Sequence, residues 1–285
     1  MSMVHAWRHL QAALARGPAC LVEVVQVQGS APREVGAWMA VPADAAPGRL
    51  QHLVGSIGGG HLEYQAMVHA QAVLQGQAAA GVQRFALGPS LGQCCGGVVH
   101  LRYRMVQAAD LPALQHLDRC AQDLPVAVFG AGHVGHALVQ LLQGLPCHTT
   151  WVDSRADIWP AALSPGTRTS GTTCVQADPV QDAVADLPAG SRVVILTHSH
   201  AEDWDILAAC LLRQRAAGDL PFIGLIGSAS KWGSFRRRLL ARGLDAQAVD
   251  AVHCPVGVAG LPGKEPEVIA VAIAAQLLQT RTLAA

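Results

Sequence analysis

The feature that most restricts the fold is a glycine-rich turn in the segment PVAVFGAGHVGHALVQLL, residues 125–142. A short apolar run of β-forming residues precedes the turn, and apolar residues recur at helical spacing after it. The pattern therefore predicts a strand, a tight turn and a helix. In such a unit Gly130 permits the sharp turn, Gly132 lets a phosphate approach the backbone, and Gly135 lets helix and strand pack closely.

A carboxylate follows the turn at the distance expected for a dinucleotide-binding unit. The segment TTWVD at residues 149–153 is predicted to form the next strand, and Asp153 at its end is placed to hold a ribose hydroxyl pair. Unpaired N–H groups at the helix start, with the positive end of the helix dipole, would form an anion site. We therefore predict a Rossmann-like domain, although this fold also accommodates ligands other than a nicotinamide dinucleotide.

The chain divides by pattern into two halves. Alternating apolar and polar runs typical of strands predominate before a polar, partly helical stretch, and strands alternate with helices after it. We predict an α/β protein with a mixed α/β N-terminal domain at 1–108, a connector at 109–124, and a Rossmann-like domain with a parallel sheet at 125–285. A length of 285 residues is sufficient for two domains with buried cores.

Composition excludes some classes of partner. The chain has 20 Lys and Arg against 20 Asp and Glu, so nothing favours nucleic acid or an anionic membrane surface. A hydrophobic content of 51% with 14% charged residues favours an oligomer, although ordinary alanine-rich helices would give the same figures. The N-terminus lacks the apolar core of a signal peptide, and no apolar run is long enough for a membrane span. We therefore expect a cytoplasmic protein whose eight cysteines are reduced.

A second glycine-rich loop, GSIGGGHLE at residues 55–63, opens another predicted helix. A loop of this kind forms an anion cradle. His61 would donate a hydrogen bond to a phosphate or another ligand oxygen. Glu63 suits the helix dipole, and it would either line the site or simply cap the helix. The predicted binding residues of this loop are Gly58, Gly59, Gly60, His61 and Glu63.

Two adjacent cysteines, Cys94 and Cys95, lie in the loop GPSLGQCCGG at residues 88–97. They cannot both point into one core from a strand, because successive side chains face opposite ways. Thiolates suit contact with a soft metal or transfer of sulfur as a persulfide. The alternative is that both are small buried residues at a turn. Two ligands are too few for a structural zinc site.

The segment THSHAED at residues 197–203 lies just beyond a predicted strand, where open α/β sheets place their ligands. His198 and His200 are therefore predicted to line the ligand cleft. The H-x-H spacing with Asp203 also resembles the start of a metallo-β-lactamase metal motif, although the next histidine of that motif is missing. Asp203 is equally well placed as a first-turn residue of a helix.

The segment IGSASK at residues 226–231 is a further strand end followed by a helix start, and this too favours phosphate. Three consecutive arginines at 236–238 follow on the same predicted helix. Consecutive residues point around a helix, so these cannot all face one ligand. Cys254 is a lone thiol in a loop and is predicted to be structural.

Six motifs in order resemble the XdhC/CoxI family, and the resemblance covers essentially the whole chain. The motifs are LVGSIGGGHLE, LGQCCGG, VFGAGHVG, THSHAEDWDIL, LIGSASKWGSF and GKEPEVIAVAIAAQLL. The resemblance implies an XdhC/CoxI domain followed by a Rossmann-like domain. It also implies a dimeric accessory factor that binds molybdenum cofactor (molybdopterin), protects it during sulfuration by a cysteine desulfurase, and passes it to the molybdenum-binding subunit of xanthine dehydrogenase.

This role fits the predicted site residues. A glycine turn would hold the cofactor phosphate, and His61, Glu63, His198 and His200 would bond the pterin edges. A thiolate of Cys94 or Cys95 would contact molybdenum, the only metal expected, or relay sulfur. Related members often carry a cysteine where this chain has His61, so these two are the remaining thiol candidates.

Two enzyme hypotheses stay open beside the accessory role. The first is an oxidoreductase that binds NAD(P) at the turn, with Asp153 on the ribose and Arg155 nearby. No acid–base pair for hydride transfer is evident in the sequence. The second is a metal-dependent hydrolase built on His198, His200 and Asp203.

Overall fold

The computed structural model describes residues 6–45, 53–87, 96–117, 123–160, 165–166, 168–169 and 171–281. Cys94 and Cys95 lie outside the described residues, and so does their predicted role. The chain forms two compact units, residues 1–121 and 122–285. In the described part of the chain no helix combines the length and the apolar character that crossing a bilayer requires.

The N-terminal unit is built on one antiparallel sheet. Its elements are α1 (Ala6–Leu14), β1 (Ala19–Gln28), β2 (Trp38–Pro42), β3 (Val54–Gly55), α2 (Gly60–Leu74), β4 (Gly81–Ala86), β5 (Val98–Val106) and a 3-10 segment (Ala108–Leu117). The strand order is β3-β2-β1-β5-β4, with antiparallel neighbours throughout. Because β1 is central, its first six residues are buried on both faces.

The two faces of this sheet are covered by different helices. On one face Leu62, Met67 and Val73 of α2 pack against Val22 and Leu101 of the sheet. The opposite face is covered by α1 and the 3-10 segment, and the buried indole Nε1 of Trp38 donates to the Leu117 carbonyl at 3.2 Å. Both faces are apolar, which explains why β1 lacks a simple alternating pattern over its first half.

The C-terminal unit is built on a mainly parallel sheet. Its elements are β6 (Leu124–Phe129), α3 (His133–Leu142), β7 (Cys147–Asp153), β8 (Arg168–Thr169), β9 (Thr172–Gln176), a 3-10 turn (Val180–Val184), β10 (Arg192–Ile195), α4 (His200–Ala217), β11 (Phe222–Leu225), α5 (Ala229–Ala241), α6 (Ala246–Asp250) and α7 (Pro266–Gln279). The strand order is β11-β10-β6-β7-β9-β8, and only β8 runs antiparallel to its neighbour.

Helices cover both faces of this sheet. Helices α3 and α7 pack on one face, where Val126 and Val128 of β6 are buried. Helices α4 and α5 pack on the other face, against Ala127 and Phe129 of the same strand. The predicted α/β class with a C-terminal parallel sheet is therefore confirmed.

The order of the strands fixes where a ligand crevice lies. After β6 the chain adds β7 and β9 on one side, and then returns to add β10 and β11 on the other. The reversal between β6 and β10 is a topological switch point, and open α/β sheets bind ligands outside the carboxyl ends of the strands there. Those strand ends carry the residues that follow Phe129 and Ile195.

Candidate functional site

The glycine turn after β6 is held against the end of β10. Gly130 has a φ of 114°, a conformation that favours glycine. A Cβ atom at this position would lie 2.5 Å from the Leu196 carbonyl oxygen and 2.9 Å from the Thr197 nitrogen. The turn therefore requires glycine for its conformation and for its close approach to the next strand.

The other two glycines of the turn differ in their surroundings. A Cβ atom at Gly135 would lie 2.1 Å from the Gly130 carbonyl oxygen, so close packing of helix on strand depends on this residue. A Cβ atom at Gly132 would meet no other heavy atom within 4 Å. Space is therefore open above Gly132, as approach of a ligand to the backbone requires.

The first turn of α3 has no side-chain cap. Gly132 is the N-cap residue and provides no acceptor, and no side chain accepts a hydrogen bond at this cap. The first N–H groups of a helix lack partners within the helix, and with the dipole they favour an anion. The amide of Ala131, one residue earlier, is already paired with Asp153.

The buried carboxylate of Asp153 is fully engaged within the chain. Its Oδ2 accepts from the Ala131 amide at 2.6 Å and from Arg155 Nη2 at 2.9 Å. Its Oδ1 accepts from the Arg155 amide at 3.0 Å and from Arg155 Nε at 2.8 Å. Burial alone would raise the pKa of Asp153, but these bonds from Arg155 and Ala131 outweigh it and hold the pKa below its ordinary value.

This arrangement bears on the ribose role predicted for Asp153. A carboxylate has about four lone-pair positions, and four N–H donors within the chain already address this one. A ribose hydroxyl pair would have to displace Arg155 before it could donate to Asp153. The carboxylate instead supports the turn and fixes the guanidinium at the rim of the crevice.

Polar side chains connect the ends of β7 and β10. The Ser154 hydroxyl donates to Glu202 Oε1 at 2.7 Å, and Glu202 Oε2 lies 3.9 Å from His198 Nδ1. Because β6 lies between β7 and β10, this connection passes across the strand end that carries the glycine turn. The side chain of His198 is 56% exposed, and His200 is also exposed at the start of α4. Both histidines thus follow the carboxyl end of β10, at the edge of the sheet where the sequence places them.

A buried ion pair at the ends of β10 and β11 was not predicted. Asp203 Oδ1 accepts from the Thr197 amide at 3.1 Å and from its hydroxyl at 2.8 Å. The other carboxylate oxygen accepts from Lys231 Nζ, which also donates to the Ile226 carbonyl at 3.0 Å. The sequence placed both residues at helix starts, but only the parallel pairing of β10 with β11 brings them together.

The metal-hydrolase alternative finds no support in this geometry. Within the part of the chain that the structure describes, no group of three or more His, Cys, Asp or Glu side chains is arranged to hold a metal ion. Asp203, which that alternative requires, is directed to Thr197 and Lys231.

The glycine loop of the N-terminal unit already contains an anion of its own. Glu63 Oε2 accepts from the Ser56 hydroxyl at 2.5 Å, from the Ile57 amide at 3.0 Å and from the Gly59 amide at 3.1 Å. His61 is exposed, and its Nε2 lies 3.0 Å from Gln65 Nε2. The geometry therefore matches the capping alternative for Glu63, and the binding role of this loop stays a prediction.

Replacement of Glu63 by alanine tests this structural role. Glu63 is only 9% exposed, so its removal leaves the Ile57 and Gly59 amides without their acceptor. We expect a loss of about 2–3 kcal/mol in the unfolding free energy of the N-terminal unit, measured in urea, and faster hydrogen exchange in peptides covering 55–63. Gln65→Ala, at a half-buried position of α2 whose amide contacts the exposed His61, is the control and should lose less than about 0.5 kcal/mol. Equal losses in the two variants would contradict the capping role.

The strand order, the glycine turn and the covered sheet faces define the C-terminal unit as a Rossmann-type domain, attached to an antiparallel α/β unit. The chain belongs to the XdhC and CoxI family. The family description "XdhC Rossmann domain" matches residues 126–277, more than half of the chain, and "XdhC and CoxI family" matches residues 12–86.

Two similar proteins place this assignment in context. An uncharacterized protein YqeB of Escherichia coli K12 is 27% identical over 276 residues, which cover 93% of this chain but 44% of the relative. The chain thus spans less than half the length of that curated relative. A crystal structure described as a xanthine dehydrogenase from Bacillus halodurans is 22% identical, with a TM-score of 0.75 over 99% of this chain and 97% of that one. This second likeness shows the shared fold.

Proposed function

We propose that the protein is an accessory factor that binds molybdenum cofactor (molybdopterin), supports its sulfuration, and delivers it to the molybdenum-binding subunit of xanthine dehydrogenase. Family membership and the description of the similar structure as a xanthine dehydrogenase support the accessory role. In this proposal the cofactor is cargo, and the protein binds and releases it without itself being an enzyme. A cysteine desulfurase supplies the sulfur, and the factor acts as a homodimer.

The observation that carries the proposal is the uncapped start of α3 beneath open space at Gly132. A phosphate there would accept hydrogen bonds from backbone N–H groups and interact with the positive end of the helix dipole. Molybdopterin carries such a phosphate on a polar pterin. The exposed imidazoles of His198 and His200 at the same sheet edge would bond the pterin.

The same geometry disfavours the alternative of an oxidoreductase that binds NAD(P). The glycine turn itself suits a pyrophosphate as well as a single phosphate. However, Asp153 is engaged by Arg155 and Ala131, so the ribose contact that a nicotinamide dinucleotide needs is absent without rearrangement. The thiols Cys94 and Cys95 remain the proposed contacts to molybdenum or carriers of sulfur.

The proposal is tested by measuring whether the protein retains molybdenum cofactor through purification. The full chain is purified from cells that make the cofactor and from cells that lack the pathway. Molybdenum is measured by elemental mass spectrometry, and the pterin is measured by fluorescence after oxidation. We expect both only in the first preparation, together with increased activity of xanthine dehydrogenase when that preparation is added. Absence of pterin from the first preparation would contradict the proposal.

Gly132→Asp separates the phosphate site from the fold. An aspartate at an N-cap accepts from the free N–H groups of the first turn, so it would occupy the proposed phosphate position. We expect cofactor retention to fall at least about tenfold, while the stability changes by no more than about 1 kcal/mol because an aspartate suits an N-cap. Gln140→Glu adds the same charge at an exposed position of the same helix, away from its start, and is the matched control that should retain cofactor. Equal retention by Gly132→Asp would remove the turn from the site.

A further inference from the structure

The ion pair of Asp203 and Lys231 lies beside the proposed phosphate site and is not explained by it. The side chain of Asp203 is 1% exposed and that of Lys231 is 13% exposed. Removing two charges from water carries a desolvation penalty that the attraction between them often fails to recover. Stability alone therefore does not account for this buried pair. Its position at the carboxyl ends of β10 and β11 is where ligands bind in this class of sheet.

The position of Lys231 within its helix is also unfavourable for a cation. Lys231 is the third residue of α5, and its amide donates to the N-cap hydroxyl of Ser228 at 3.2 Å. The first turn of a helix carries partial positive charge, which repels an ammonium and attracts anions. Asp203 offsets this repulsion and fixes the ammonium there. Because Asp203 balances the ammonium charge, what the lysine and the helix start share at this point is N–H donors.

The ammonium group retains capacity for a further partner. An ammonium has three N–H donors, and in the described part of the chain two of them donate to Asp203 and the Ile226 carbonyl. The ammonium also lies 5.5 Å from the centroid of the Phe235 ring, a contact that does not supply a hydrogen-bond acceptor for the third donor. The neighbouring thiol of Cys254 does not compete as an anion, because burial raises its pKa, although Lys231 opposes this rise. Gly227 leaves room for the lysine: a Cβ there would lie 2.8 Å from Lys231 Cδ.

A chain of contacts links this group to the glycine turn. The Thr197 nitrogen lies next to Gly130, and both the amide and the hydroxyl of Thr197 donate to Asp203, which holds Lys231. We propose that Lys231, positioned by Asp203, binds an oxyanion, a phosphate group, on the β10–β11 side of the crevice. This inference rests on the proposed function in that the crevice receives an anionic ligand, and it adds the ammonium of Lys231 to the groups that recognise this ligand.

The composition of the chain provides a direct test, because Lys231 and Lys264 are its only lysines. The wild-type full chain is acetylated with a limiting reagent in sodium chloride, or in inorganic phosphate at equal ionic strength. The extent of modification at each lysine is read by peptide mass spectrometry. We expect phosphate to slow modification of Lys231 at least about threefold and to leave Lys264, in an exposed loop, unchanged. Equal rates at Lys231 in the two salts would overturn the inference.

A second measurement shows whether phosphate binds through Lys231 or only reduces the reactivity of this lysine with the acetylating reagent. Affinity for inorganic phosphate is measured by calorimetry for Lys231→Met, Lys231→Arg and the control Lys264→Met. We expect a loss of about tenfold for Lys231→Met, with Lys231→Arg and Lys264→Met within about threefold of wild type. A folded Lys231→Met variant with wild-type affinity would overturn the inference. The wild-type labelling experiment decides the question if that variant does not fold.

Labelling of loaded and cofactor-free protein identifies the source of the oxyanion, and it also separates failure of this inference from failure of the proposed function. Protein carrying copurified cofactor is labelled beside the cofactor-free protein. Slower modification of Lys231 in the loaded protein assigns the oxyanion to the cofactor, and an effect of free phosphate alone assigns the site to a separate anion. If Gly132→Asp loses cofactor while Lys231 reacts equally in every condition, the proposed function stands and this inference fails. If the purified protein holds no cofactor, the proposed function fails irrespective of the phosphate result.

Discussion

Gly135→Ala is expected to destabilise the C-terminal unit by about 3 kcal/mol, although it adds a single methyl group. The new Cβ would lie 2.1 Å from the Gly130 carbonyl oxygen, a backbone atom that cannot rotate away. Either α3 must move off β6 or the turn must open. In both cases the packing of Leu138 and Leu142 against Val126 and Val128 would be weakened.

The measurement is chemical denaturation of the full chain together with hydrogen exchange resolved by peptide. We expect loss of protection in peptides covering 124–142, and little change in those of the N-terminal unit. Gly132→Ala places the same methyl group three residues earlier, where no atom lies within 4 Å, and should cost less than about 1 kcal/mol. If the two variants unfold alike, the described packing of the turn is wrong.

The contrast between these two glycines shows what the sequence could predict. A strand, a turn and a helix are local features, and their residue spacing assigns the close helix–strand contact to Gly135 and the open position to Gly132. The structure confirms both surroundings. What spacing could not reveal is the identity of the ligand, because an uncapped helix start attracts any anion of suitable size.

The environment of Asp153 shows a limit of motif reasoning. The sequence places an acid at the end of β7, with Arg155 two positions later. It could not show that this arginine turns back to take both carboxylate oxygens, because that depends on the backbone after the strand. Glu63 is similar: the sequence left capping and binding open, and the loop conformation brings two amides onto one oxygen.

Other features depend on contacts between distant parts of the chain. The strand β9 contains the segment TTCVQ, whose weak apolar pattern did not predict a strand, but pairing with β7 makes it part of the sheet. The strand β3 has only two residues, Val54–Gly55, and it belongs to the sheet because it pairs with Met39 and Ala40 of β2. Asp203 and Lys231 are separated by 28 positions and were assigned to different motifs. Their contact follows from tertiary structure, which a single sequence does not display.

Lys231→Met is expected to destabilise the C-terminal unit by about 3 kcal/mol or more, because it leaves the Asp203 carboxylate buried without a cation. The methionine fills a similar volume, so the loss reports mainly on charge. Asp203→Asn keeps an oxygen that can accept from Thr197, and removes the negative charge. The double variant Asp203→Asn with Lys231→Met contains neither charge and should be more stable than Lys231→Met alone.

A gain in unfolding free energy when the second substitution is added to Lys231→Met is the decisive result. Two unrelated destabilising substitutions would instead have additive losses in unfolding free energy. All four proteins are compared by urea unfolding at neutral pH, and the coupling free energy is taken from the cycle. The pair Arg236→Met and Asp250→Asn is the control, because that ion pair is exposed to solvent and its two substitutions should be close to additive. If Lys231→Met and Asp203→Asn act additively, then Lys231 is not held by Asp203. In that case the fixed ammonium that we propose for oxyanion binding would be absent from the crevice.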